Sequence, residues 1–318
     1  MLVLVIVSSI QDQMEKKNYR STSTRNNRIT LFLMTRKGYG VLDSLIKSGF
    51  SDMIDKVVVA HDKNVLNDYY SEIYNTAKNA GIPVFDKTEE TTIDSDYCLT
   101  IAWRWMLNVP EGCKLLVTHD SLLPKYRGFA PLVNMLINHE PKIGVSAIFA
   151  SDKYDQGPII VQRSTPVTYP IKIKDAIELE VPVFIDLVLD VFRCLRDNGK
   201  LIGKTQIEAE ASYSLWRDEE DYRIDWTQSA EYIQQFIYSV GYPYKGASTI
   251  LDGKVFRILD CELFPDVIIE NRTPGKLIFM DNKYPVIVCG TGLLKITEMV
   301  DNEGNTVLPL KKFRLRLK

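Results

Sequence analysis

The stretch KLLVTHDSLLPKYRG, residues 114–128, decides which fold and which chemistry to look for. Residues 114–119 form a short apolar run that predicts a buried strand, and His119 stands at the carboxyl end of that run. Proline and glycine punctuate the residues that follow, which indicates a loop. Ligands and catalytic groups of parallel sheets gather at the carboxyl ends of strands, so His119 lies where chemistry is expected.

Apolar runs alternate with helical patterns on both sides of this stretch. Strands are predicted from Ile29 at ITLFLM and at 56–62, 82–86 and 96–103, with helices following the first of them and over 67–80 and 131–138. Runs at 144–150 and 157–167 are typical of antiparallel additions, and a long helix is predicted over 172–198. This alternation predicts an α/β fold with a Rossmann-like, mostly parallel sheet.

Beyond Gly199 the pattern changes to short strands that are broken by glycine and proline, with one helix at about 228–239. The pair Asp252-Gly253 between two alternating runs predicts a hairpin. We therefore predict three segments. They are an N-terminal extension (1–28), a catalytic domain (29–205), and a linker helix with a smaller C-terminal β-rich domain (206–318).

The composition excludes several classes of protein. A net charge of -2 over 318 residues and a pI of about 6.0 give no sign of a nucleic-acid-binding surface. The five cysteines are odd in number, widely spread and without a C-x-x-C, so neither a disulfide framework nor a zinc site is predicted. The opening apolar run is too short for a bilayer, which needs about 20 residues. We expect a cytoplasmic protein without metal or membrane partner.

A second group of polar residues follows about one strand after His119, in the loop that contains Asp152, Asp155 and Gly157. An Asp–His pair suits general base catalysis on an amine, because the carboxylate stabilises the protonated imidazole. Taken alone, this loop also fits an ordinary Asx turn, and His119 also fits a histidine that caps a strand.

Together the two groups resemble the formyltransferase fold family, which includes methionyl-tRNA formyltransferase, glycinamide ribonucleotide transformylase and the sugar N-formyltransferases. The resemblance rests on His119, the SLLP that follows, Arg127-Gly128 and Asp155-x-Gly157, with about 36 residues from His119 to Asp155. It extends through RIDW (223–226) and PYKGA (243–247).

The resemblance implies an N-formyltransferase that uses 10-formyltetrahydrofolate and no metal. His119 would stabilise the tetrahedral oxyanion, and Asp155 would fix the charge of His119 and relay the amine proton. The same resemblance places the folate against the strand ends, at Trp103, Arg104, Trp105, Met106, Ser151, Asp152 and Tyr154. Trp103 and Trp105 could equally be core aromatics, and for each one taken separately a place in the core is the first interpretation.

The acceptor is less determined. The acidic pI and the lack of a basic, glycine-rich stretch after the second strand favour a UDP- or dTDP-linked amino sugar, a surface-glycan precursor, over tRNA. The predicted acceptor-binding residues are Ser121, Lys125, Tyr126, Arg127, Tyr222, Trp226 and Tyr244, although the aromatic ones also fit a core between the domains. Methionyl-tRNA formylation and a non-catalytic folate- or sugar-nucleotide-binding relative remain alternatives. A homodimer is expected from the family.

One position departs from the family pattern. Two residues before the catalytic histidine the family usually has asparagine as a second oxyanion donor, and here that residue is Val117. Valine cannot donate a hydrogen bond, and Thr118 should point to the opposite face of the strand. Either another group supplies the bond, with Thr100 on the neighbouring strand as the first choice, or the enzyme is slow or inactive.

Overall fold

The computed structural model describes residues 27–63, 65 and 67–318, so most of the predicted extension (1–26) lies outside the described residues. The first part of the chain forms a seven-stranded sheet with helices. Its elements are β1 (Ile29–Leu33), α1 (Thr35–Lys47), β2 (Ile54–Val59), α2 (Tyr70–Asn79), β3 (Val84–Asp86), β4 (Tyr97–Ile101), β5 (Lys114–His119), β6 (Arg127–Gly128), α3 (Pro131–Ile137), β7 (Lys142–Phe149), β8 (Ile159–Pro166) and α4 (Ile173–Asn198).

The strand order across the sheet is β3-β2-β1-β4-β5-β7-β8. Strands β1 to β5 pair in parallel, whereas β7 pairs antiparallel with both β5 and β8. The predicted α/β class, with a mostly parallel sheet and two antiparallel additions, is therefore confirmed.

The largest core lies between this sheet and α1 and α4. Leu31 and Leu33 of β1 and Phe184 and Leu187 of α4 are fully buried there. Removing each such side chain from water contributes about 1.5–3 kcal/mol, which explains why the apolar runs of the sequence become central strands.

The second part of the chain is a five-stranded antiparallel sheet of order β10-β11-β14-β13-β12. Its elements are β9 (Tyr213–Ser214), α5 (Ala230–Ser239), β10 (Ala247–Leu251), β11 (Lys254–Phe264), β12 (Leu277–Asp281), β13 (Tyr284–Val288) and β14 (Leu293–Val300). The β10–β11 hairpin turns at Asp252 and Gly253, both with positive φ, as the Asp-Gly pair predicts.

A two-residue parallel ladder joins the segment between the domains to the loop after β5. It pairs β6 with β9, Arg127 opposite Tyr213 and Gly128 opposite Ser214. A Cβ on Gly128 would lie 2.5 Å from the Ser214 carbonyl oxygen, and its φ is +102°, so only glycine fits there. This ladder places the segment at 204–214 beside the end of β5.

Two classes of feature are missing from the described part of the chain. None of its helices has the length and apolar character needed to cross a membrane. Nor do its histidines, cysteines and carboxylates form any group of three or more that could hold a metal ion.

Candidate functional site

The antiparallel pairing of β5 with β7 brings the two predicted polar segments together. His119 ends β5, and the loop that leaves β7 carries Asp155 back to it, so that His119 Nδ1 lies 3.5 Å from Asp155 Oδ1. The imidazole is 7% exposed. Its Nε2 lies 2.7 Å from the Tyr126 carbonyl, which can only accept, so Nε2 carries the hydrogen. Both ring nitrogens therefore face oxygen acceptors.

Asp155 is held in a conformation that aspartate seldom adopts. Its φ is +55°, in the left-handed region, and its Oδ2 accepts a hydrogen bond of 2.8 Å from the Gly128 backbone N–H. The Gln206 side-chain amide donates to the Asp155 carbonyl at 2.7 Å and to the Gly157 carbonyl at 2.8 Å. Such backbone strain costs about 1–3 kcal/mol and persists only where neighbouring groups enforce it.

Arg127 holds Gln206, the residue that bonds to the Asp155 backbone. Its side chain is 1% exposed, and its Nε and Nη2 donate to Gln206 Oε1 at 3.1 and 2.9 Å. Its Nη1 pairs with Glu208 at 2.9 Å and donates to the Tyr213 hydroxyl at 3.0 Å. Arg127 was predicted to bind the acceptor, but its donors point into the protein. Gln206 was not predicted, because no motif or spacing marks it.

Val117 lies in β5 directly beside Thr100 of β4 in the sheet register. The Thr100 hydroxyl is buried and donates to the Leu116 carbonyl over 3.5 Å, which is a long hydrogen bond. The Thr118 hydroxyl donates to the Thr100 carbonyl at 2.8 Å and so is already engaged with backbone. Thr100 is the weakly bonded hydroxyl next to Val117, and its role as replacement donor stays a prediction.

A cleft of about 260 Å³, here named the edge cleft, opens at the carboxyl edge of the sheet. It is lined by Thr35, Arg36, Lys37, Val65, Asn67, Tyr69, Ala102, Arg104, Asp120, Ala130, Pro131, Leu132, Val133, Lys174, Ile177, Glu178, Tyr242, Pro243 and Tyr244. A wider groove of about 810 Å³ between the start of α4 and the C-terminal sheet shares Lys174, Tyr242 and Tyr244 with it. The two cavities therefore meet at these three side chains.

Strained backbone marks the same region. Six non-glycine residues with left-handed φ lie around it: Thr35, Tyr69, Ala102 and Ala130 line the edge cleft, and Tyr126 and Asp155 belong to the surroundings of His119. Because sparsely populated backbone conformations cluster at active sites, this distribution independently points to this edge of the sheet as the functional site.

The residues predicted for folate lie on loops on either side of the β5 end. Trp103 is half-buried and packs edge-to-face on Phe32 and Trp105, at ring-centroid distances of 5.2 and 5.1 Å. Its indole N–H is buried and has no hydrogen-bond partner among the described residues. Trp105, Met106, Ser151, Asp152 and Tyr154 are exposed. Arg104 instead points into the edge cleft, where it pairs with Asp62 at 2.5 Å.

The residues predicted for the acceptor are mostly not brought together. Ser121 is fully buried and donates to the Lys125 carbonyl at 2.6 Å, and the Lys125 side chain is exposed. The Tyr126 hydroxyl donates to Glu140 at 2.7 Å. These side chains shape the loop after β5, and they form no common surface in the edge cleft.

The other aromatic residues predicted for the acceptor also lie in different places. Trp226 is 4% exposed and donates to the Thr249 hydroxyl in the core of the C-terminal domain, which was the alternative interpretation. Tyr222 is half-buried with the Arg257 guanidinium 5.9 Å from its ring. Tyr244 alone among the seven predicted acceptor residues lines the edge cleft.

A charge cluster that the sequence did not predict lies beside His119. Lys37 Nζ lies 2.6 Å from Asp120 Oδ2 and 2.6 Å from Glu180 Oε2. Burial raises the pKa of the Glu180 carboxyl to about 7, although Lys37 opposes that shift. Asp120 directly follows His119 in the sequence, so its place next to the site could be predicted. No sequence pattern predicts that it pairs with a side chain from α1 or lies near α4.

Comparison with known protein families and sequences gives the following similarities. A sequence profile described as "Formyl transferase" matches residues 97–178, and one described as "Formyl transferase, C-terminal domain" matches residues 217–314. The methionyl-tRNA formyltransferase of Streptococcus sanguinis is 31% identical over 240 residues, which cover 74% of each chain. That of Citrifermentans bemidjiense is 28% identical over 252 residues, which cover 74% of this chain and 76% of the relative.

Two solved structures share the fold. WlaRD, a sugar 3N-formyl transferase in the presence of dTDP and 5-N-formyl-THF, gives a TM-score of 0.62 at 18% identity, over 85% of this chain and 96% of that chain. An N-formyltransferase from Helicobacter canadensis, in complex with folinic acid and dTDP-3-aminofucose, gives 0.63 at 18% identity, over 85% and 98%. At this identity the likeness is one of fold alone.

Proposed function

This chain belongs to the formyl transferase family, and on that premise we propose that it transfers the formyl group of 10-formyltetrahydrofolate to the amine of a nucleotide-linked amino sugar. The observation that carries the proposal is the His119–Asp155 pair at the end of β5, next to a cleft that combines cationic and aromatic side chains.

The loops on either side of β5 fit a bound folate. Trp103 offers a buried indole N–H without a protein partner, which a heterocyclic acceptor can satisfy. Trp105, Met106 and Tyr154 present exposed apolar surface close to the strand ends, 39%, 82% and 73% exposed respectively. When bound there, the folate supplies an activated formyl group, and these residues hold it at the β5 end.

The catalytic work of the chain then falls to two side chains. His119 provides an N–H toward the carbonyl oxygen as negative charge develops on it, and that N–H must first leave the Tyr126 carbonyl, to which it is bonded here. Asp155 faces the other ring nitrogen and stabilises the imidazole when it is protonated. The acceptor amine forms the new C–N bond to the formyl carbon, the bond from that carbon to N10 of the folate breaks, and the proton that the amine loses balances the one that N10 gains as tetrahydrofolate leaves.

The edge cleft and the groove suit a sugar nucleotide. The edge cleft alone is smaller than the roughly 300–1,000 Å³ that is usual for ligand pockets, but the adjoining groove extends it. Arg36, Arg104 and Lys174 line the edge cleft and are suited to a diphosphate, while Tyr242 and Tyr244 offer rings on which a base can stack.

Formylation of methionyl-tRNA is the second candidate, because the sequence relatives described above carry that name. Against it stand the net charge of -2 and the short connection at residues 60–69 between β2 and α2, which leaves little room for a basic RNA-binding insertion.

A turnover assay separates the two candidates. Purified protein with 10-formyltetrahydrofolate is given several UDP- and dTDP-linked amino sugars and methionyl-tRNA, and tetrahydrofolate release and product mass are recorded. We expect one sugar nucleotide to gain a formyl group while the tRNA stays unmodified. Formylated tRNA would contradict the proposal and support the second candidate. Folate binding without turnover on any acceptor would support the non-catalytic alternative.

The catalytic pair gives a sharper prediction. Asp155→Asn keeps the shape and tolerates the left-handed backbone, and His119→Ala removes the imidazole; each is expected to lower kcat by about a hundredfold to ten-thousandfold. His139→Asn is the matched control, since His139 also has a positive φ and lies outside the site. Circular dichroism checks the fold of each variant. Wild-type kcat in both site variants would contradict the mechanism.

A further inference from the structure

The Lys37–Asp120–Glu180 cluster places two carboxylates on one ammonium group at the wall of the edge cleft. The three side chains come from α1, from the loop after β5 and from α4, with side-chain exposures of 8%, 30% and 0%. Lys37 also lies 4.8 Å above the ring of Phe184. Asp120 and Lys37 both line the edge cleft, Asp120 is the more exposed of the two, and Glu180 lies behind them.

The contact between Lys37 and Asp120 leaves one carboxylate oxygen free for a ligand. Lys37 bonds to Oδ2, and among the described residues no contact engages Asp120 Oδ1. Because Lys37 is fixed between two carboxylates at 2.6 Å each, the Asp120 side chain is held in one orientation before a ligand binds.

The buried charges of this cluster cost folding stability, which points to a functional reason for the cluster. Burying Lys37 and Glu180 removes two charges from water, and well-packed apolar side chains of similar volume are often as stable or more stable. Glu180 Oε1 has no hydrogen-bond partner among the described residues, which adds to that cost. The pKa of Glu180, raised by burial, shows the same desolvation.

The edge cleft carries charges of both signs. Arg104 and Lys174 are among its cations, Glu178 is paired with Arg36, and Asp120 lies one residue after His119. A carboxylate repels a phosphate but accepts hydrogen bonds from hydroxyl and amino groups. The phosphates of an acceptor therefore belong beside the cations, and its sugar beside Asp120.

We propose that Asp120 is a specificity-determining residue that accepts a hydrogen bond from a hydroxyl or amino group on the sugar of the acceptor, and that Lys37 and Glu180 are positioning residues that hold it for this contact. The inference rests on the proposed function, because it assumes that the acceptor is a sugar nucleotide. It adds the placement of that acceptor, with the sugar beside Asp120 and the phosphates beside the cationic side chains of the cleft.

The first test compares Asp120→Asn with the wild type. The acceptor is varied at saturating 10-formyltetrahydrofolate, and the folate is then varied at saturating acceptor. We expect kcat/KM for the acceptor to fall about tenfold to a hundredfold, as for loss of a hydrogen bond to a charged group, with the KM for folate unchanged. The proposal would be overturned if kcat/KM for the acceptor stays within threefold of the wild-type value. It would also be overturned if kcat/KM changes equally for the acceptor and for the folate.

The matched control is Asp190→Asn. Asp190 is a carboxylate on α4 with 26% side-chain exposure that pairs with Arg163, so it resembles Asp120 in chemistry and burial but does not line the edge cleft. Its kinetics are expected to equal those of the wild type. No turnover by the wild type itself would count against the proposed function, whereas turnover that Asp120→Asn leaves intact counts only against the role of Asp120.

Acceptor analogues identify the group that binds. The wild type should discriminate against a deoxy analogue that lacks the bonded hydroxyl, and Asp120→Asn should lose that discrimination. If the amino group is the donor instead, all deoxy analogues have similar kcat/KM values. N-methylation of the acceptor then lowers kcat/KM less for Asp120→Asn than for the wild type. Equal discrimination by both proteins against all of these analogues would overturn the proposal.

The positioning role has its own variant. Lys37→Met with Glu180→Leu removes both buried charges together and leaves no lone ion in the core. The double variant is expected to fold, to keep the wild-type KM for folate, and to show a higher KM for the acceptor with a smaller change in kcat. An unchanged acceptor KM would overturn the role of Lys37 and Glu180, and melting curves confirm that the variant is folded.

Discussion

Gln206 connects the buried Arg127 to the backbone of Asp155. Its carbonyl oxygen accepts two hydrogen bonds from Arg127, and its amide donates to the carbonyls of Asp155 and Gly157. Gln206→Glu should keep the contact with Arg127 while losing both donors and placing a carboxylate against two carbonyl oxygens. Asp155 then loses one of the groups that enforce its left-handed backbone.

We therefore expect Gln206→Glu to lower kcat about tenfold to a hundredfold with little change in either KM, because a misplaced catalytic group affects the reaction more than binding. Glu208→Gln is the control, since Glu208 contacts Arg127 but has no described contact with Asp155. A purely structural role would give the same loss in both variants. The kcat–pH profile should change in Gln206→Glu alone.

The missing oxyanion donor at Val117 gives a second prediction at this scale. Thr100→Val removes the hydroxyl beside Val117 and keeps the shape of the side chain. If that hydroxyl is the replacement donor, kcat should fall about a hundredfold to a thousandfold. Val117→Asn in the same background should restore part of the loss. Unchanged kcat in Thr100→Val would assign oxyanion stabilisation to His119 without help from Thr100.

At the scale of elements, the packing of α1 on α4 has a pH dependence that comes from Glu180. Burial raises the pKa of Glu180 to about 7 from an ordinary 4.5, so between these values the folded state holds a proton that the unfolded state has released. The contribution of Glu180 to stability therefore falls as pH rises from about 4.5 to about 7 and is constant above that. Burial opposes it, but Asp120 and Glu180 raise the pKa of Lys37, so Lys37 stays charged and keeps its ion pair with Asp120 throughout this range.

Glu180→Gln should remove this pH dependence. We expect the free energy of unfolding of the wild type, relative to the variant, to fall by on the order of 1–3 kcal/mol between pH 5 and pH 7. Urea unfolding at pH 5, 6, 7 and 8 measures the difference. A difference that stays constant, or that grows in favour of the wild type as pH rises, would show that Glu180 is ionised throughout.

Elements with many periodic residues could be predicted from the sequence. The helix predicted over 172–198 is observed as Ile173–Asn198, because its apolar stripe must face the sheet. The β6–β9 ladder could not be predicted, since two residues carry no periodicity and their pairing depends on the path of the chain between the domains.

The site was predictable to the same extent. His119 and Asp155 follow from strand ends and from a family pattern, and the structure brings them together. The direction of a side chain is a different matter. Tyr126 and Trp226 are residue types suited to ligand binding, yet their polar atoms are satisfied inside the protein. Lys37 and Glu180 meet only in three dimensions, so no local signal could join them.

At the scale of the whole molecule, the edge cleft and the groove draw on both domains. Arg36 and Lys174 come from the first domain, whereas Tyr242 and Tyr244 belong to the C-terminal part, just before β10. A ligand that spans both sets of residues binds only when the two domains are folded and in place. Nucleotide binding should therefore stabilise both domains together.

We predict that the UDP or dTDP that matches the acceptor stabilises the protein by about 2.7 kcal/mol at a concentration one hundred times its Kd, a rise in Tm on the order of 5 °C. Differential scanning calorimetry shows which of the two domains the nucleotide stabilises. If the domains unfold in two transitions, a ligand bound to the first domain alone raises the temperature of one transition. A ligand that bridges the domains raises both temperatures or merges the two transitions.

Two lysine variants test where the nucleotide binds. Lys174→Met should reduce the rise in Tm, whereas Lys47→Met on the exposed face of α1 should not, because Lys47 is paired with Asp43 away from the cleft. A shift confined to one transition would place the nucleotide within a single domain and separate the groove from acceptor binding.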